Sequence, residues 1–473
     1  MILTVDIGTS VFKSALWSFD GKRTAFAALS LSISGPLYEA DSAQWLRSFE
    51  ECCRRLGSAS AALSAVRAIV ISGNGPSLTP VLGKPSLTAG GLELAAAPSR
   101  LWLDRRAEKA AAEVSALMDG YVDPGFYLPK ALAIKNDEPE LYEKTRFFLG
   151  CPEYLACALT AEERTVFPAE GFDRWFWKDA VLDRLKLDSA KFPSFIRPGE
   201  TFGPLLPAAA AFLGLLPGIP VIAGGPDFFA AILGVGICSP GQACDRTGTS
   251  EGINVCTERR IMDGRLMSYG HPVKPFWNLS GIISTTGKAV EWGRDLLGLA
   301  GFEEMYALAA AAGPGAEGLV FLPYLAGERA PVWDPSARGI LRGLGLSSGR
   351  AEFARSVLEG ICFAVRDVIA VMEEAGAEVR ELRVTGGGES GVLNQIKADI
   401  TGKELLIPAQ KEAELIGLAI IGSTALGEYS SFAEAASALV RIEGRFFPNE
   451  KNAALYDRLF REYRETYTAL RRR

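Results

Sequence analysis

Asp6-Ile7-Gly8-Thr9-Ser10 and Asp245-Arg246-Thr247-Gly248-Thr249-Ser250 are two short stretches with the same ending, Gly-Thr-Ser, set about half the chain apart. The first follows the β-type run Ile2-Leu3-Thr4-Val5. The second precedes Ile253-Asn254-Val255. A Gly-Thr-Ser turn between strands offers backbone N–H groups and two hydroxyls with little side-chain bulk. That chemistry can hold phosphate oxygens closely. One such turn is an ordinary feature. One in each half predicts two related domains that address a single polyphosphate.

Composition narrows the partners. The 473 residues are 48% hydrophobic and 22% charged, as in soluble globular proteins. The net charge of -6 argues against nucleic acid or an anionic membrane and points to a small ligand. The apolar stretch 208–223 is broken by Pro217 and Pro220, and Asp6 falls where a signal peptide would be apolar, so a cytoplasmic protein is expected. The eight cysteines have no metal spacing and read as reduced, buried thiols. The one histidine, His271, reads as a packed residue.

Working outward, residues 1–20 predict a hairpin that ends at Asp20-Gly21. Residues 66–72 predict a buried strand stopped by Gly73-Asn74-Gly75-Pro76, and 108–118 a helix. Residues 120–220, rich in Pro and aromatics, read as insertions shaping a substrate face. Pro217-Gly218-Ile219-Pro220 punctuates the chain, so a domain boundary is placed there. Phe353, Val357, Ile361, Val365 and Val368 recur at helical spacing, with Ser347 or Ser348 as N-cap and Gly376 as terminator. Leu382-Arg383-Val384, a glycine run, the stripe Leu393, Ile396, Ile400 and the strand Leu405-Leu406-Ile407 make a βαβ unit.

Several residues can carry chemistry. Asp227 follows a strand in Gly224-Gly225-Pro226-Asp227-Phe228-Phe229 and can accept a proton from a hydroxyl; it can equally be a helix cap. Asp6 ends a buried strand and can orient Mg²⁺ through water, and Lys13 can reach a γ-phosphate as a point charge. Gly386-x-Gly388-x-x-Gly391 matches a dinucleotide fingerprint but is a lone match, and adenosine fits it better than a nicotinamide. The stretch 281–289 only approximates a Walker A loop, with Ala289 where Ser or Thr would bind the metal.

Together these segments resemble the FGGY carbohydrate kinases, within the actin–hexokinase–Hsp70 ATPase superfamily. The likeness runs through 1–16, the Trp-x-Asp-x-Arg segment at 100–107, 224–252, the stretch FLPYLAGERAPVWDPSARGILRGL at 321–344, and 384–405. It implies an α/β fold of two RNase-H-like (actin-like ATPase) domains, each a mixed sheet flanked by helices, with ATP in a cleft between them. The expected division is 1–220, 221–430 and a helical extension 431–473 packed on the core.

The resemblance implies an ATP- and Mg²⁺-dependent transfer of a phosphoryl group to a hydroxyl of a small sugar, ketose, polyol or sugar acid. Asp227 takes the place of the base. Thr9, Ser10, Lys13 and Thr249 fall at the phosphates, and Gly287, Gly387, Gly388 and Asn394 at the nucleotide. Asn74, Trp102, Asp104 and Phe228 remain for the acceptor. The acceptor positions depart from the family. Gly73-Asn74-Gly75-Pro76-Ser77 stands where xylulokinase-like relatives carry Gly-Gln-Met-His-Gly, and Phe228 replaces an amide. Poor activity on D-xylulose and glycerol is therefore expected. The alternative is a catalytically degenerate ATP-binding member with a regulatory role. A homodimer is compatible with either.

Overall fold

The first Gly-Thr-Ser turn joins two antiparallel strands, β1 (Ile2–Ile7) and β2 (Val11–Trp17). Every residue of β1 is buried, as its apolar run requires of a central strand. β2 pairs onward with β3 (Arg23–Ser30). On its other side β1 runs parallel to β4 (Ala68–Gly73). The sheet is completed by β5 (Thr201–Pro204) and β6 (Pro220–Pro226), in the order β5-β6-β4-β1-β2-β3.

The second turn repeats this plan. It joins the antiparallel strands β7 (Gln242–Thr247) and β8 (Glu251–Thr257). β8 continues to β10 (Trp277–Ile283) and then β9 (Met267–Gly270). β7 runs parallel to β11 (Glu381–Gly386), followed by parallel β12 (Glu404–Pro408) and antiparallel β13 (Ile442–Phe446). The order is β9-β10-β8-β7-β11-β12-β13. In both sheets the Gly-Thr-Ser turn lies between the first two strands, and the first strand gains a parallel neighbour from far along the chain.

The computed structural model describes residues 1–33, 38–59, 63–88, 91–118, 120–386 and 390–471. It forms two units, Met1–Gly236 with Glu414–Leu439, and Ile237–Ala413 with Val440–Arg473. The first sheet is covered by α1 (Ala43–Ala59) and α3 (Cys151–Thr160), whose Trp45, Phe49, Tyr154 and Leu155 pack with Val5, Phe12 and Ile71. The second is covered by α6 (Arg350–Glu374), α7 (Gly391–Thr401) and α9 (Glu450–Arg471), whose Val357, Ile361, Ile396 and Leu459 pack with Ile253, Val255 and Leu382. Three further helices matter here: α2 (Tyr127–Asp137), α4 (Asp227–Gly234) and α5 (Gly287–Leu296).

The division differs from the expected one. The Pro-Gly-Ile-Pro punctuation leads into β6, which pairs with β4 inside the first unit, so the change of unit falls at 236/237 rather than 220/221. The stretch 414–439 also belongs to the first unit. There Gly417 lets the helix Ala413–Ala425 approach α4; a Cβ at Gly417 would come within 1.9 Å of Ala230 O. The expected extension 431–473 splits between the units, with β13 and α9 in the second. The N-cap of α6 is Gly349, whose N–H donates to Glu352 Oε2 (2.9 Å), and not Ser347 or Ser348. Gly376 ends that helix as expected, at φ +95°. The βαβ unit β11–α7–β12 forms as read.

His271 is buried, and its Nδ1 accepts from Val273 N (3.0 Å); burial pushes the imidazole down to about 3. The cysteines form no disulfide, and seven of the eight are buried. Among the described residues no His/Cys/Asp/Glu cluster could hold a metal, and no helix is long and apolar enough to cross a membrane.

Candidate functional site

In the first unit, strand register sets the candidate residues in one row. Asp6 at the end of β1 lies opposite Lys13 of β2 and Ser72 of β4, and Gly225 of β6 continues the row. Asp6 is 4% exposed, and Ser72 Oγ beside it is buried without a hydrogen-bond partner. The hairpin tip is tight because Gly8 N donates to Val11 O (3.0 Å), and a Cβ at Gly8 would meet that oxygen at 2.7 Å. Ser10 is exposed at the tip, and its carbonyl accepts from Leu31 N (2.8 Å).

Two residues beyond Gly225, Asp227 is the first residue of α4, with Pro226 as N-cap. Proline fits there because the first helical N–H groups have no intrahelical acceptor. The Asp227 carboxylate accepts from Phe228 N (2.6 Å) and is partly exposed. A carboxylate at a helix N-terminus interacts favourably with the helix dipole. Asp227 and Asp6 both act on the buried Cys151 thiol, which is pushed up by burial first and then by the charges of Glu153, Asp6 and Asp227. The two carboxylates thus share one end of the sheet.

The acceptor candidates are gathered nearby, but each is engaged within the protein. Asn74 donates to Ile7 O (2.9 Å) and accepts from Ser77 Oγ (2.7 Å), pinning the turn after β4 to the end of β1. Trp102 Nε1 donates to the Thr9 hydroxyl (3.0 Å), which links the acceptor segment directly to the phosphate hairpin. Asp104 is buried and forked by Arg106. Despite burial, that guanidinium holds its carboxyl below the usual range. Phe228 is half-buried, its ring stacked on Phe172 at 6.0 Å, and Phe172 in turn meets Trp175. Phe229 is core.

Sequence reasoning missed Lys130 and Glu153. Lys130, on α2 and 1% exposed, donates to the carbonyls of Pro76 (2.8 Å), Leu101 (2.7 Å) and Arg100 (3.3 Å). One ammonium thereby ties the turn after β4 to the segment bearing Trp102 and Asp104; burial pushes it down to about 7. Glu153, on α3, is pushed up to about 7 by burial, and its Oε2 has no hydrogen-bond partner. A lysine or glutamate inside a helix carries no local signal of such a role.

In the second unit Thr249 is exposed at the tip of its hairpin. The tip is braced by the N-terminus of α5: Gly287 N donates to Gly248 O (3.0 Å) and Thr286 N to Thr249 O (3.3 Å). Gly287 is needed for this approach, since a Cβ there would lie 2.3 Å from Gly248 O. Gly386 likewise ends β11 at φ +102°, where a Cβ would lie 1.9 Å from Thr247 O. Asn394 is buried on α7, behind the cap Ser390. Gly387 and Gly388 lie outside the described residues. Thr249, Gly287 and Gly386 therefore cluster around one turn.

Residues 1–234 match the N-terminal domain of the FGGY family of carbohydrate kinases, and residues 246–426 its C-terminal domain. The chain is 30% identical to the xylulose kinase of Bacillus subtilis over 77% of its own length and 75% of that protein. It is 26% identical to the gluconokinase of the same organism over 96% and 93%. The crystal structure of xylulose kinase from Rhodospirillum rubrum superposes with a TM-score of 0.87 at 26% identity, covering 99% of this chain and 98% of that one.

Proposed function

We infer the chemistry from one premise: the chain belongs to the FGGY family of carbohydrate kinases and is an ATP-dependent sugar kinase. The family's donor is ATP. The residue roles below are our proposal.

Asp227 accepts the proton of the acceptor hydroxyl as that oxygen attacks the γ-phosphorus. The bond to the β–γ bridging oxygen breaks, and ADP leaves. The observation that carries this assignment is the place of Asp227 at the N-terminus of α4, on the same sheet end as Asp6. Lys13 and the hydroxyls and N–H groups of Thr9, Ser10 and Thr249 hold phosphate oxygens. Gly287, Gly387, Gly388 and Asn394 take the nucleotide. Catalysis is mainly positioning and electrostatic stabilisation.

Asp6 suits a hydrated Mg²⁺: it is a nearly buried carboxylate beside an unpartnered Ser72 hydroxyl, an all-oxygen donor set. When bound, the ion neutralises charge on the β- and γ-phosphates. Gly287 and Gly386 let the backbone pack closely against the second turn, since a Cβ at either would collide with the Gly248 or Thr247 carbonyl. A cytoplasmic location fits an ATP-consuming sugar kinase.

That some relatives are named xylulose kinase and gluconokinase supports trying ketoses and sugar acids first as acceptors. Phe228 on Phe172 supplies an apolar wall, and the polar groups of Asn74, Trp102 and Asp104 are already engaged. A wall of that kind discriminates less than a hydroxyl-binding amide. We therefore favour a less hydroxylated or modified acceptor over D-xylulose or glycerol.

The test is a coupled ADP-release screen over ketoses, polyols and aldonic acids, run on the wild type and on Asp227→Asn. The variant should lose roughly 10²- to 10⁴-fold in turnover, with ATP affinity by calorimetry unchanged. Near-normal turnover on the best acceptor would remove Asp227 from the base role. D-Xylulose as that acceptor would overturn the acceptor reading alone.

A further inference from the structure

The two residues that flank the second phosphate turn are both acidic and both buried. Asp245 lies in β7, two residues before the turn 247–250, and Glu251 begins β8 directly after it. Their carboxylates converge on one ammonium. Lys397 Nζ, on α7, lies 2.5 Å from Asp245 Oδ2 and 2.6 Å from Glu251 Oε1. The three side chains are 0–2% exposed. No role for this triad follows from the reading of Thr249 or of the glycines.

We propose that Lys397 is a positioning residue for phosphate transfer: by clamping Asp245 and Glu251 together it fixes the spacing of the strand ends that present the 247–250 turn. The proposal rests on reading that turn as a site for ATP phosphates.

Charge explains why the clamp must be cationic. Two ionised carboxylates and one ammonium would leave a net negative charge sealed behind a turn that receives phosphate. Burial, then the charge of Glu251, pushes the Asp245 carboxyl well above the usual range. Glu251 goes the other way: against burial, the Lys397 ammonium holds it below the usual range. Against burial again, Asp245 and Glu251 hold the Lys397 ammonium above its ordinary value. The neutral arrangement is protonated Asp245, ionised Glu251 and charged Lys397. Removing the lysine strands a buried carboxylate.

Geometry explains why this is more than charge balance. A single nitrogen bonds to both strands, one on each side of the turn, so it sets their separation at the turn's base. Glu251 is also hydrogen-bonded to Thr286, whose backbone N–H donates to Thr249 O (3.3 Å). The triad therefore joins three supports of one turn: the hairpin, the N-terminus of α5, and α7. An apolar residue could fill the same volume but could not fix that distance.

The experiment measures kcat and KM for ATP and for the best acceptor in Lys397→Met, Lys397→Arg, Lys397→Met/Glu251→Gln and Thr249→Val, with thermal unfolding as the check on folding. Lys397→Met should lose tenfold or more in kcat/KM for ATP, with the acceptor KM within twofold. Adding Glu251→Gln removes the stranded charge and should restore stability while the ATP defect persists. Lys397→Arg keeps the charge but puts a larger, planar guanidinium where the two carboxylates close on a compact ammonium, so it should space the strand ends differently and show the same ATP-selective loss. Wild-type kcat/KM for ATP in the folded double variant or in Lys397→Arg would overturn the clamp, as would equal losses for ATP and acceptor. Thr249→Val reports on the premise: an unchanged KM for ATP there would remove the turn from the phosphate site, whatever the lysine variants do.

Discussion

Glu153 sits sealed in the first unit with one carboxylate oxygen unpartnered and the other accepting from Val166 N (3.1 Å). Burial pushes it up to about 7 from an ordinary 4.5. Between those values the folded chain keeps a proton that the unfolded chain has released, so this residue makes stability fall as pH rises through the window. Glutamine cannot ionise. Glu153→Gln should therefore gain stability over the wild type on going from pH 5 to pH 8, by up to about 3 kcal/mol. Urea unfolding of both proteins at both pH values measures it, and an unchanged difference would mean Glu153 ionises freely in the fold. Lys130 works in the opposite sense. Burial pushes it down to about 7 from 10.5, so stability rises with pH between those values, equally in both proteins. At this scale the sequence was legible only where a residue sat in a short punctuated segment. Asp6 and Asp227 could be singled out because glycine and strand signals bracket them. Lys130, Glu153 and Lys397 sit inside helices, and their roles arise from partners 13 to 152 residues away.

Helix α5 shows what a single element contributes to the candidate site. Its first N–H groups are directed at the carbonyls of Gly248 and Thr249, and the missing side chain of Gly287 permits the contact. Gly287→Ala would press a methyl group to 2.3 Å from Gly248 O, so the helix must back away and the turn must relax. We expect KM for ATP to rise about tenfold with the fold retained, since the displaced contact lies at the turn and not in the core; steady-state kinetics and the melting temperature check both parts. Unchanged KM would show that α5 does not shape the turn. Elements with strong periodicity were legible: the α6 stripe, the β11–α7–β12 unit and both hairpins. The α6 cap was not, because Gly349 caps through its backbone N–H and the Glu352 side chain, while two nearby serines offered the stronger local signal. The division at 220 failed for a similar reason. Pro217-Gly218-Ile219-Pro220 looks like a linker, but it delivers β6 to a partner strand about 150 residues earlier, and such pairing leaves no trace in local composition.

The whole molecule repeats one plan: a hairpin whose Gly-Thr-Ser turn projects from a sheet, with the first strand held by a parallel neighbour. Each unit has its own apolar core. The two hairpins were legible from sequence because the turn motif is literal. The passage of 414–439 back to the first unit was not, because the signal is glycine spacing in a helix of almost uniform hydrophobicity, where Gly417 and Gly422 permit close packing. The division of residues predicts a division of ligand effects. Hydrogen exchange followed by mass spectrometry should show ADP slowing residues 247–250, 286–290 and 390–394, together with the hairpin tip at 8–10. The sugar acceptor should slow 73–78, 100–105 and 226–229 instead. A ligand at 100 times its dissociation constant adds about 2.7 kcal/mol to any opening that releases it. Amides that exchange only through such openings should therefore slow about a hundredfold. Protection by ADP confined to 73–78 and 226–229 would exchange the two assignments. Slowing spread evenly over both units would mean that binding stiffens the chain at large and does not act through the turns.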